Sequence, residues 1–106
     1  MKRLSKKKRP NRRSPPARLR IVAGKWRGCF LPIVDEPGLR PTSERIRETL
    51  FNWLTAHLER ANCLDLFAGT GALGFEALSR GAAKVCFIEE APKVAQAIRE
   101  AATVLQ

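Results

Sequence analysis

Leu64-Asp65-Leu66-Phe67-Ala68-Gly69-Thr70-Gly71-Ala72-Leu73-Gly74 decides the fold. It reads as a short buried strand carrying an acid, followed by a glycine turn that opens a helix. A second apolar strand, Val85-Cys86-Phe87-Ile88, then ends in Glu89. Strand, glycine turn, helix and acid-tipped strand together make a nucleotide-binding half-site. Gly69, Gly71 and Gly74 fit the general dinucleotide fingerprint, and Glu89 stands 20 residues after Gly69, where that fingerprint places a ribose-binding acid.

Asp65 discriminates between cofactors. A hydride-transfer domain must receive a pyrophosphate at this turn, and a carboxylate on the same strand would oppose it. At an effective dielectric near 20 and a separation of about 6 Å, each such pair costs roughly 3 kcal/mol. S-adenosylmethionine instead offers an ammonium and a sulfonium, and its ribose hydroxyls suit an acceptor such as Glu89. The alternative is that Asp65 only caps the turn through backbone N–H groups. The ordered set of Asp65, glycines and Glu89 favours the cofactor.

Working outward, the formal net charge of +10 over 106 residues is a property of one end. Met1 to Arg20 holds ten Lys or Arg and no acid, so the remaining ten basic residues are matched by all ten acids. Three cysteines without C-x-x-C spacing suggest neither a zinc site nor a disulfide framework, so no metal is expected. Cys63 and Cys86 fall in the two strands as small core residues, which points to a reducing, cytoplasmic setting. No apolar run is long enough to span a bilayer, and no membrane partner is expected.

Residues 1–18 combine Lys6, Lys7, Lys8, Arg9, Arg12 and Arg13 with prolines and almost nothing apolar, so a disordered basic tail is expected. As an RNA-binding arm meeting six phosphates, it would lose roughly a thousandfold in affinity between 50 and 200 mM salt. A solubilising tail is the competing reading. Residues 19–33 form two apolar runs around Gly24-Lys25-Trp26-Arg27-Gly28, a predicted hairpin. Lys25, Trp26 and Arg27 either offer cations and a stacking ring to RNA or dock the hairpin on the body. Asp35 to Leu39, with Pro37-Gly38, is a turn.

A helix is predicted over 43–59, capped by Thr42 or Ser43, with Ile46, Leu50, Trp53 or Leu54, and Leu58 as its core face. By pattern alone Arg45 and Arg47 are expected in solvent, the alternative being that they help the helix N-terminus hold an anionic group such as a methionine carboxylate. Strand 63–67, helix 71–80 with Gly81 as its C-terminal cap, strand 84–89 and helix 92–106 follow. The Val85-Cys86-Phe87-Ile88 core of strand 84–89 is apolar throughout, as a strand covered on both faces should be. Right-handed crossover places the two strands parallel and adjacent.

From about Arg20 to the end, the chain resembles the RsmD-type methyltransferases of a guanine exocyclic amine (N2) in bacterial 16S ribosomal RNA. The resemblance rests on Arg20-Ile-Val-Ala-Gly-Lys-Trp-Arg-Gly28, on Leu39-Arg-Pro-Thr-Ser-Glu-Arg-Ile-Arg-Glu-Thr-Leu-Phe-Asn-Trp-Leu54, and on the glycine stretch continuing to Arg80-Gly81. It implies an α/β, partial class I (Rossmann-like) S-adenosylmethionine-dependent methyltransferase fold over 19–106, preceded by the basic tail. It also implies that Asp65, Phe67, Ala68, Gly69 and Gly71 line the methionine end, that Glu89 takes the ribose, and that Arg40-Pro41-Thr42 approaches the methionine moiety. The hairpin and tail would meet 16S ribosomal RNA, in the small subunit or an assembly intermediate. Where the family has a further acid two residues after its ribose acid, this chain has Ala91.

The family holds its target amine with an Asn/Asp-Pro-Pro-Phe/Tyr segment, and the only Pro-Pro here is Pro15-Pro16. The chain therefore reads as the N-terminal portion of an enzyme, inactive alone, with no catalytic residue assigned. A non-catalytic RNA-binding or ribosome-assembly protein on the same scaffold is the second reading, and a nicotinamide-linked oxidoreductase, opposed by Asp65, is the third.

Overall fold

The computed structural model describes residues 18–34, 36–39 and 42–105. Two short strands, β1 (Arg18–Arg20) and β2 (Phe30–Pro32), form an antiparallel hairpin; α1 (Glu44–Leu58) follows. Then come β3 (Asn62–Asp65), α2 (Ala72–Ser79), β4 (Lys84–Phe87) and α3 (Pro92–Leu105). The basic residues Lys6, Lys7, Lys8, Arg9, Arg12 and Arg13 lie outside the described residues.

β3 and β4 pair in parallel, with Asn62 opposite Lys84 and Asp65 opposite Phe87. Parallel neighbours need a crossover, and α2 supplies it. Its ends are set by sequence. Gly71 at the N-cap has φ 86°, a left-handed value that L side chains avoid. At the other end the Gly81 N–H donates to Leu78 O and the Ala82 N–H to Ala77 O, the paired bonds of a Schellman stop. Gly74 lets helix and sheet approach: a Cβ there would lie 2.1 Å from Phe87 Cε1, and Phe87 in turn packs on Phe75 at 5.0 Å between ring centroids.

The main core joins Leu19, Ile21 and Leu31 of the hairpin region to Ala72 and Phe75 of α2 and to Ile98, Ala101 and Leu105 of α3. Trp26 packs partly buried against it, and the backbone N–H groups of Lys25 and Trp26 donate to the carbonyl and hydroxyl of Ser79. Gly24 makes this docking possible, since a Cβ there would sit 2.0 Å from Ser79 O. The hairpin loop is thus fastened to the last turn of α2.

α1 departs from the sequence reading. Ser43 is its N-cap, accepting from the Ile46 N–H at 3.2 Å, but the buried residues are Arg47, Phe51 and Leu58. Ile46 and Trp53 are exposed, at 60% and 76%. The expectation that Arg47 is solvated is also corrected: it is buried and donates from Nη1 to Glu76 Oε1 at 3.0 Å. Glu76, fully buried on α2, further accepts from the backbone N–H groups of Val22 and Ala23 and from Arg80 Nε at 2.9 Å. One carboxylate thereby ties α1, α2 and the hairpin loop, and its four donors keep the buried charge satisfied.

Among the described residues the sheet is covered on one side only. Cys63, Asp65, Val85 and Phe87 face the helices, whereas Leu64, Cys86 and Ile88 are exposed. The expectations of a doubly covered strand 84–89 and of a buried Cys86 are corrected accordingly. All three helices that cross or flank these strands lie against the other face.

Candidate cofactor site at the glycine turn

The site forms where the parallel strands end, the edge at which open α/β sheets bind ligands. Past Asp65 the chain stays stitched to its neighbour. The Ile88 N–H donates to Asp65 O at 2.8 Å, and the Ala68 N–H donates to Ile88 O at 2.9 Å. Those bonds carry the glycine turn over the end of β4 and bring Gly69 to Glu89, whose Oε1 accepts the Gly69 N–H at 2.8 Å. The other oxygen of Glu89 accepts the Ala91 N–H at 3.1 Å, so the residue standing where an acid was looked for orients the one that remains. A carboxylate has about four lone-pair sites, which leaves Glu89 free to accept from two hydroxyls.

Asp65 is the unusual group. Its Oδ2 is buried and has no hydrogen-bond partner among the described residues. Burial pushes its carboxyl above the ordinary range; the N–H groups of Gly74 and Phe67 pull it partly back, and the charge on Glu89 raises it further. A buried acceptor without a donor is a rare and costly feature, and it asks for a cationic or donating ligand. The turn asks for the same. The Gly69 N–H, which a dinucleotide site would direct at a diphosphate, is occupied by Glu89, and two carboxylates flank the turn. A diphosphate would meet repulsion here.

Gly69, at φ 52°, is half-buried, and Ala68 is buried. Phe67 follows β3 with 91% of its surface exposed. Thr42 directly precedes the α1 cap and its carbonyl accepts from Arg47 Nε at 3.3 Å; Arg40 and Pro41 lie outside the described residues. Alongside Glu89, a groove of about 290 Å³ is lined by Phe87, Ala95, Ile98, Arg99 and Ala102, an apolar slot beside an acceptor. Gly69 and Glu89 therefore meet at the turn, and Asp65 stands at the end of β3 within reach of the Glu89 charge but lines the neighbouring cleft of Leu50, Phe51, Leu73 and Gly74. Lys25, Trp26 and Arg27, by contrast, sit on the hairpin loop at the other end of α2. Sequence reading missed Glu76 and Arg47. Glu76 had one signal, a lone acid inside the apolar run Leu73 to Leu78.

The family described as conserved hypothetical protein 95 matches residues 19–106. Ribosomal RNA small subunit methyltransferase D of Escherichia coli K12 is 56% identical over 89 residues, 84% of this chain and 44% of that protein. The protein of the same name from Haemophilus influenzae is 54% identical over 82 residues, 77% of this chain and 42% of that one. A solved structure titled putative methyltransferase yhhF from Escherichia coli superposes with a TM-score of 0.78 at 48% identity, covering 84% of this chain and 48% of the other. The chain thus spans less than half the length of these relatives, and over that span the two folds agree.

Proposed function

The chain belongs to the conserved hypothetical protein 95 (RsmD) family, and from that premise we propose that it is the cofactor-binding portion of an S-adenosylmethionine-dependent methyltransferase acting on a guanine exocyclic amine of 16S ribosomal RNA. The observation that carries the cofactor is the unpartnered, buried Oδ2 of Asp65 beside a turn whose Gly69 N–H already serves Glu89. When bound, S-adenosylmethionine supplies a methyl group on a positively charged sulfur. Asp65 takes the cationic methionine end, Glu89 accepts from the ribose hydroxyls, and Gly69 and Gly71 keep the turn free of side chains. Phe67, Ala68 and Thr42 complete the methionine side of the site. The RNA substrate is inferred from the relatives, which are named for ribosomal RNA of the small subunit. No catalytic residue is assigned among these 106 residues, in which Pro15-Pro16 is the only Pro-Pro.

Calorimetric titration of the full chain with S-adenosylhomocysteine and with NAD tests the cofactor. Binding of the first and not the second is expected, with no methyl transfer from S-adenosylmethionine to 16S RNA by this chain alone. NAD binding with S-adenosylhomocysteine excluded would overturn the reading.

A further inference from the structure

The hairpin carries a feature that the glycine turn does not use. Its register sets Arg18 against Pro32, Leu19 against Leu31 and Arg20 against Phe30. Side chains alternate along a strand, so Leu19 and Leu31 go inward, where both are buried, and Arg18, Arg20 and Phe30 share the outer face. Phe30 keeps 47% of its surface in water, with the Arg18 guanidinium carbon 4.2 Å from its ring centroid. Beside them Arg20 is fixed by Glu44, Nη2 to Oε1 at 2.7 Å, which holds this face against the start of α1.

Trp26 is the ring that sequence reading singles out for RNA, but it is partly buried against the core and its backbone is bonded to Ser79. It anchors the loop. The exposed ring of the hairpin is Phe30, whose one face is covered by the Arg18 guanidinium, so a base would stack on the ring's other face or on the guanidinium plane. Charge complements it: residues 1–17, which lead directly into Arg18, contain eight Lys or Arg and no acid, and the loop adds exposed Lys25 and Arg27.

We propose that the outer face of the hairpin is a stacking platform for an unpaired nucleotide of RNA, with a base lying on Phe30 and Arg18 holding the ring and a neighbouring phosphate. This deepens the ribosomal RNA reading and rests on it. Aromatic rings and guanidinium planes stack on unpaired bases of any sequence, whereas a base inside a duplex has both faces covered. The platform therefore selects loops, bulges and ends over helices. The surrounding cations add affinity without that selectivity.

Fluorescence anisotropy of the full chain with a labelled unpaired RNA, competed by duplex RNA of equal phosphate number and by polyglutamate, tests it. The wild-type chain prefers the unpaired RNA. Phe30→Ala weakens that binding about five- to a hundredfold, the range for one lost stacking contact, and leaves the salt slope unchanged. Phe30→Trp restores it. Circular dichroism serves as the folding control for both variants. If Phe30→Ala binds unpaired RNA as tightly as wild type, or duplex or polyglutamate competes equally well, the platform is overturned and the ribosomal RNA reading survives. If the wild-type chain binds no RNA at low salt, both fall.

Discussion

Arg47 on α1 and Glu76 on α2 form an ion pair of 3.0 Å with both side chains removed from water. Burial draws the Arg47 guanidinium down from its ordinary value, and the charges of Glu76 and Glu44 oppose that pull. Replacing such a pair by apolar residues is often neutral, whereas deleting one partner strands a charge in the interior at about 3–5 kcal/mol. Glu76→Leu is therefore expected to abolish the cooperative urea transition of a domain this small, and Arg47→Met with Glu76→Leu to recover only the part due to the stranded guanidinium, because the Val22 and Ala23 N–H groups and Arg80 still lack their acceptor. A single Glu76→Leu chain that melts like wild type would show that the network is solvated in solution.

Gly74 and Phe87 define the distance between α2 and the sheet. A methyl at Gly74 would strike the Phe87 ring rather than the flexible end of a side chain, so the helix must shift. Gly74→Ala is expected to cost about 1–3 kcal/mol by overpacking. Phe87→Leu removes the obstructing ring edge, so the double variant should lose less than the two single losses added together. Chemical denaturation of all four chains measures the coupling, and simple additivity would place the clash elsewhere.

The sign of the pH dependence follows from Asp65. Its carboxyl is raised in the folded chain by burial, so the folded state binds more protons than the unfolded state above the ordinary carboxylate value of about 3.9. Stability from this group is then fully present at low pH and falls as pH rises through the raised value. Glu44, lowered by its hydrogen bond to Arg20, works in the opposite direction, so the difference between wild type and Asp65→Asn is the clean readout. That difference should widen in favour of the Asn chain from acid to neutral pH. S-adenosylhomocysteine affinity should show the reverse, rising with pH in wild type and weakened about tenfold or more in Asp65→Asn, the scale of one lost charged hydrogen bond. Melting curves and titrations across that range decide it.

The glycine turn, the strands beside it and the approach of Glu89 to the turn were legible because each rests on a local rule. Gly71 needs a positive φ, Gly74 needs room, and parallel strands joined by one helix end at the same edge. The covered face of α1 was legible only in part: Leu58 is buried and Leu50 packs on the core as expected, but Ile46 and Trp53 are exposed and Arg47 and Phe51 are buried instead. Ile46, Leu50 and Trp53 recur at helical spacing, but which stripe is buried depends on where α2 lies, and α2 presents Glu76, 29 residues from Arg47 in the chain. A periodic pattern identifies a helix without naming its partner. For the same reason the apolar run of β4 disclosed a strand but not which of its faces is covered.

Leu64 is 61% exposed, Leu66 56% and Ile88 46%, and Phe67 next to them is almost fully in solvent. Apolar side chains grouped on one sheet face gain about 1.5–3 kcal/mol each when fully covered, and parallel strands are normally buried on both sides. Pairing two such faces is the readiest way to remove them from water, so the chain is expected to associate as its concentration rises. Leu64→Thr, Leu66→Thr and Ile88→Thr together put β-branched, strand-compatible side chains at all three positions while making the face polar. Sedimentation should show larger species for wild type and a monomer for the triple variant, with the parallel β3–β4 pair intact by amide exchange. A wild-type chain that stays monomeric at its highest soluble concentration would refute the expectation.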